Sequence, residues 1–223
     1  MTIKEYFGDW LTVIPSEDIS SMNSWLKETY SKEKCCPDNI SKVWRAFRYC
    51  SYEKCSAVIL GQDVYPDPKY ATGIAFGIPK GIKPMPPSLE VLKEAAVDFE
   101  IPHKNIIFDE TLESWESQGI LMLNTALTCK QGIPNSHSLD WKNFIKNFLK
   151  RLSSLRSEII FVLMGNNAIS MKQYLDGRCE VITCKHPAYY ARNNQKLPSE
   201  VFRRINAIHF QRYGYFINFY LEF

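Results

Sequence analysis

Four short runs, residues 57–60, 119–124, 159–164 and 180–184, hold apolar residues at consecutive positions, and polar or glycine residues follow each of them. Apolar side chains at consecutive rather than alternate positions predict strands buried on both faces. Elsewhere the apolar residues recur three and four apart, the spacing of helices with one buried stripe. Ile19, Met22, Trp25, Leu26 and Tyr30 predict a first helix with Ser16 as its N-cap. Ile40, Val43, Trp44 and Phe47 predict a second that opens at Asp38. The proline-rich stretch 83–89 carries Ser88, which reads as the cap of a helix through Phe99. Trp141, Phe144, Ile145, Phe148 and Leu149 share a stripe of a helix over 139–152. Another helix follows Gly165, a loop holds His186, and a last helix covers 198–209.

Strands alternating with helices imply an α/β fold, a three-layer α/β/α sandwich around a central four-stranded parallel sheet. A chain of 223 residues suits one such domain over 1–223. The seven cysteines are odd in number, form no Cys-x-x-Cys pair and share no zinc-like spacing with histidine. Free thiols of this kind behave as small hydrophobes, so a reducing, cytoplasmic setting is expected. No signal-like or membrane-spanning run is visible at the amino terminus, so no membrane association is expected. The net charge of +3 does not by itself demand a polyanionic partner. Its distribution is less even: Lys185, Arg192, Lys196, Arg203, Arg204 and Arg212 face only Glu200 and Glu222 after residue 180. Such a surplus suits either a phosphate-facing surface or an ordinary solvated helix face.

In a parallel sheet the carboxyl ends of the strands lie along one edge, where open α/β sheets bind ligands. The four runs end at Gln62 and Asp63, at Asn124, at Gly165, Asn166 and Asn167, and at His186. This set combines a carboxylate to steady a cation or a water, an amide to read a planar edge, and an imidazole to donate to an oxyanion. Each residue also has an ordinary reading. Asp63 can cap a turn, Asn124 can cap the turn before Thr125, Phe76 can fill core, and His186 can be satisfied by a backbone carbonyl.

Five short motifs occur in a telling order: Gly61-Gln-Asp-Val-Tyr65, Gly73-Ile-Ala-Phe76, Pro86-Pro-Ser-Leu89, Leu121 to Thr128 with Asn124 inside it, and His186-Pro187. Together they resemble the main, uracil-specific family of uracil-DNA glycosylases, from about residue 37 to at least 190. The resemblance implies hydrolysis of the N-glycosidic bond of deoxyuridine in DNA, with no metal and no cofactor. Asp63 and His186 would be catalytic. Gln62, Tyr65, Phe76 and Asn124 would form the uracil pocket. Pro86, Ser88, Gly165, Asn166, Ala188, Tyr190 and Arg192 would contact DNA. The expected partners are single- or double-stranded DNA containing uracil and a protein inhibitor of such glycosylases, for a protein acting as a monomer.

The family pattern Gly-Gln-Asp-Pro-Tyr-His becomes Gly61-Gln-Asp-Val-Tyr-Pro66 here, and His-Pro-Ser-Pro-Leu becomes His186-Pro-Ala-Tyr-Tyr190. The family's leucine wedge, which fills the gap left by a flipped base, aligns with Tyr190. Ala188 lacks a hydroxyl for phosphate, and Arg192 supplies charge nearby. These departures keep a second reading open, a glycosylase-like protein with little or no activity that binds DNA or a protein partner.

Overall fold

The computed structural model describes residues 2–98 and 105–222. Its α-helices are α1 (Ile3–Phe7), α2 (Ser16–Lys32), α3 (Ala46–Tyr49), α4 (Pro87–Val97), α5 (Glu113–Ser117), α6 (Ser138–Leu155), α7 (Asn166–Ser170), α8 (Pro187–Arg192) and α9 (Glu200–Tyr213). Its strands are β1 (Cys35–Cys36), β2 (Ala57–Asp63), β3 (Ile106–Ile107), β4 (Ile120–Ala126), β5 (Cys129–Lys130), β6 (Ile160–Met164), β7 (Glu180–Cys184) and β8 (Leu221–Glu222).

The four apolar runs form one sheet in the order β4-β2-β6-β7, with every neighbouring pair parallel. Side chains alternate across a strand, so each run feeds two cores. Val58, Leu60, Leu121, Leu123, Phe161 and Leu163 face the layer built from α1, α2, α3 and α6. Ala57, Ile59, Ile120, Met122, Ile160 and Val162 face α4, α9 and Trp115 of α5. The three-layer α/β/α sandwich on a four-stranded parallel sheet is therefore the fold. Both cores are aromatic. Trp10, Trp115 and Trp141 are fully buried, and each indole N–H has an acceptor: Cys50 O, Phe219 O and Thr128 Oγ1. A buried aromatic keeps its hydrophobic gain of about 1.5–3 kcal/mol only if its polar atom is satisfied. No described helix is long and apolar enough to cross a membrane.

Local chemistry corrects several expected boundaries. Ser16 is the first helical residue of α2, and Pro15 holds the cap position without a side-chain bond. The helix expected from Asp38 is broken into a 3-10 turn, Ile40–Lys42, capped by Asn39, and the short α3. Ser88 is not a cap, because Pro86 precedes α4 at that position. Phe99 lies outside the described residues, and α4 is described to Val97. The segment after His186 is helical, because Pro187 suits a first turn and the His186 side chain accepts from the Ala188 N–H. Two short antiparallel pairs, β1 with β5 and β3 with β8, were not visible in the pattern. Two-residue strands leave no periodicity to read.

Candidate active site

Register brings the strand ends together. Gly61 of β2 pairs with Asn124 of β4, and Asp63 with Ala126. A cleft of about 220 Å³ opens at this edge, lined among others by Gln62, Asp63, Tyr65, Phe76, Asn124 and His186. Ser88, Ala188 and Arg192 border the same cleft. Pro86, Gly165, Asn166 and Tyr190 do not line it; they sit at the caps and first turns of α4 and α7 and within α8.

The back of the cleft is tightly fitted. A Cβ on Gly61 would stand 2.4 Å from Asn124 Oδ1 and 3.0 Å from Phe76 Cζ, so only glycine lets these two side chains converge. Phe76 has φ of 64°, a left-handed backbone that a bulky residue adopts only when its surroundings impose it. Its ring lies 5.4 Å from the His186 ring. Asn124 is only 4% exposed, and its amide faces the cleft with no hydrogen bond to a described protein group. Buried polar groups are nearly always paired, so an amide left open toward a cleft is suited to a ligand.

Tyr65 is held from two sides. Its hydroxyl donates to the Phe76 carbonyl at 3.2 Å and lies 3.1 Å from Ser88 Oγ. Ser88 is itself buried, so its hydroxyl serves this contact. Gln62 accepts the Thr125 hydroxyl on its carbonyl and reaches Asp63 Oδ1 with its side-chain amide at 3.3 Å.

His186 accepts the Ala188 N–H on Nδ1 at 3.1 Å. A neutral imidazole with an accepting Nδ1 carries its proton on Nε2, which fixes the tautomer. Burial, and secondarily the Arg192 charge, push its pKa down to about 4. The ring is therefore neutral at physiological pH, with a proton on Nε2 available to donate. The Ala188 N–H is committed to this task.

Asp63 has its pKa raised by burial, against the backbone N–H of Asn135 and the Gln62 side chain, which favour the charged form. The Asn135 N–H donates to Asp63 Oδ2 at 2.6 Å. Behind this loop the Cys129 thiol approaches the Val64 carbonyl at 3.8 Å, and the Cys36 thiol the Pro66 carbonyl at 3.2 Å. Sequence reasoning missed Asn135 and these thiols. The only signal for Asn135 was its place in Pro134-Asn-Ser136, a turn-forming triplet.

Glu33, Cys35 and His137 lie close enough to share a cation. They have protein partners already: Glu33 bonds His137 Nε2 at 2.7 Å and Lys130 Nζ at 2.6 Å, and the Cys35 thiol reaches the Glu33 carbonyl. The lysine ammonium supplies the positive charge this carboxylate needs. The C-terminal basic surplus is likewise partly spent. Arg203 pairs with Asp98 and Arg204 with Glu180, whereas Arg192 lines the cleft.

Residues 47–208 match the family model of the uracil DNA glycosylase superfamily. A uracil-DNA glycosylase of Brevibacillus brevis is 32% identical over 207 residues, 89% of this chain and 88% of its own. That of Aliarcobacter butzleri is 30% identical over 210 residues, 88% of this chain and 96% of its own. Among solved structures, mimivirus uracil-DNA glycosylase superposes with a TM-score of 0.76 at 21% identity, covering 97% of this chain and 91% of that one. With the family's motifs gathered at one sheet edge and most of the chain matched, this protein belongs to the uracil-DNA glycosylase superfamily.

Proposed function

We propose that this protein hydrolyses the N-glycosidic bond of deoxyuridine in DNA, releasing free uracil and leaving an abasic site. The observation that carries this reading is the buried Asn124 amide, open to a cleft walled by Phe76, Tyr65 and His186.

A base in duplex DNA is out of reach, so the nucleotide must leave the stack at a cost of a few kcal/mol. Phe76 stacks on the flipped ring, while Asn124 accepts from N3–H and donates to O4. Cytosine presents the reverse pattern and would leave the buried amide unpaired, a strong ground for rejection. Tyr65, fixed through its hydroxyl, stands against C5 and excludes the thymine methyl group. Gln62 contributes backbone bonds to the base.

As the C1′–N1 bond breaks, its electron pair moves onto the base and charge grows on O2. The neutral His186 donates to O2 from Nε2, a bond that strengthens in the transition state and so accelerates the step. Asp63 steadies the cationic sugar and orients a water whose oxygen bonds to C1′. The water's proton passes to the carboxylate. Main-chain groups around Pro86, Ser88, Gly165 and Asn166 approach the DNA backbone, with Arg192 supplying charge and Tyr190 acting as the wedge. A structure of a mimivirus UNG variant in complex with UGI supports a protein inhibitor as a further partner.

The test is release of free uracil from single- and double-stranded oligonucleotides, with Asp63→Asn as control. Release well above that control is expected. Equal release from both proteins overturns the hydrolase reading, and DNA binding without release then favours a binding module.

A further inference from the structure

We propose that Asn167 is a positioning residue for Asp63, acting through the side chain and backbone of Asn135. The inference rests on the reading of Asp63 as the carboxylate that attends the sugar and the water.

Asn135 has φ of 61°, in the left-handed region. Asparagine reaches this region more readily than other side-chain-bearing residues, because its short amide can bond locally. Here the amide bonds across the fold: Asn167 Nδ2 donates to Asn135 Oδ1 at 3.1 Å. Asn167 lies in the first turn of α7, directly after β6, on a different part of the sheet edge from Asp63. Asn135 sits in the loop between β5 and α6. Its backbone N–H, turned inward by that conformation, donates to Asp63 Oδ2 at 2.6 Å. One chain of hydrogen bonds thus runs from the end of β6 to the carboxylate at the end of β2.

The arrangement has two consequences. It occupies one face of Oδ2, so the carboxylate cannot rotate freely and presents its remaining lone pairs to the cleft. It also donates to a carboxylate that burial disfavours as an anion, and so holds it toward the charged form. The other ionisable groups around the carboxylate are Tyr65, His186 and Arg192 on the cleft walls and Cys129 behind Val64. A neutral His186 adds no charge there, and the Cys129 thiol, pushed up by burial, stays protonated. The Asn135 backbone N–H is therefore the main group stabilising the anion from the loop side.

The experiment is a titration of the Asp63 carboxyl carbon by NMR in the full chain, wild type against Asn167→Ala and Asn135→Gly. Glycine keeps the backbone N–H and the positive φ but removes the tether. Both variants should raise the Asp63 titration point by about one unit, the scale of one weakened hydrogen bond to a charged group. The double variant should shift it no further than either single one, because both cut the same link. In uracil-release assays the acid limb of kcat should rise by the same amount with KM unchanged. An unchanged titration in folded Asn167→Ala, or a variant whose only effect is on KM for DNA, overturns the proposal. The titration is read without substrate, so a wild-type protein that released no uracil would count against the proposed function alone.

Discussion

Replacing Gly61 with alanine tests the geometry of the base pocket most directly. The added Cβ would stand 2.4 Å from Asn124 Oδ1, whereas a carbon and an oxygen normally approach no closer than about 3.3 Å. Something must therefore move by about 1 Å. The neighbours are a side-chain amide on a buried strand and the Phe76 ring, 3.0 Å away. The backbone of β2 is held, since it pairs with β4 at Gly61 itself and with β6 as far as Leu60. The amide swings away, and with it the bonds that select uracil. A displacement of about 1 Å in a reacting geometry costs roughly a hundredfold, or about 2.7 kcal/mol in transition-state stabilisation. Overpacking adds a stability loss of about 1–3 kcal/mol, which lowers Tm by a few degrees per kcal/mol in a chain of this size. The assay is kcat/KM for uracil release from a single-stranded oligonucleotide, well below Tm, with near-UV circular dichroism as a check of folding. A Gly61→Ala protein within about threefold of wild type would refute the argument that Gly61 exists to admit Asn124 and Phe76.

Asn124→Asp exchanges a donor for a second acceptor, so uracil release should fall by about a hundredfold and the preference over cytosine should shrink; unchanged discrimination on paired oligonucleotides would remove Asn124 from base reading. Tyr190 packs partly on the core and edge-on to Tyr189 at 5.7 Å, so Tyr190→Leu should alter activity on double-stranded DNA several-fold more than on single-stranded DNA. Equal effects on both substrates would argue against a wedge. Glu116 is buried, with Oε1 accepting the Met122 N–H and Oε2 without a partner among the described residues. Burial holds its pKa well above the ordinary 4.5, so its contribution to stability is complete below that value and is lost as pH rises toward the folded-state pKa. Glu116→Gln should flatten this decline in urea melts across pH 4 to 8 and raise stability at neutral pH; a decline that persists in the variant would show that another group causes it.

Legibility in the sequence followed the range of the interactions. Strands β2, β4 and β6 could be read because burial on both faces forces consecutive apolar residues, and α6 because its stripe repeats over several turns; β7, at the sheet edge, is buried only at Ile182 and departs from the expected two-sided burial. The ends of elements were read less well. Ser16, Asp38 and Ser88 all have the right chemistry for a cap, yet Pro15, Asn39 and Pro86 occupy those positions because backbone angles decide them. Helix α8 was hidden in a segment whose most visible residues, His186 and Pro187, read as loop. Of the site residues, Asp63, Asn124 and His186 were visible as strand ends. Asn135 was not, because its backbone N–H reaches Asp63 from a loop 72 positions further along the chain.

The sequence by itself determined the alternation of strands and helices, and with it the edge to which the polar residues go, since consecutive apolar runs and period-3.6 stripes are properties of neighbouring positions. Only the tertiary structure decided what those residues are able to do. The neutral Nε2–H tautomer of His186, the open amide of Asn124, the anchored Tyr65 hydroxyl and the Asn135 bond to Asp63 each depend on surroundings that exist only once the chain has folded. Charge state and hydrogen-bond direction are set by burial and by what stands within about 3 Å, and for Asp63 and Asn124 those neighbours come from distant parts of the chain.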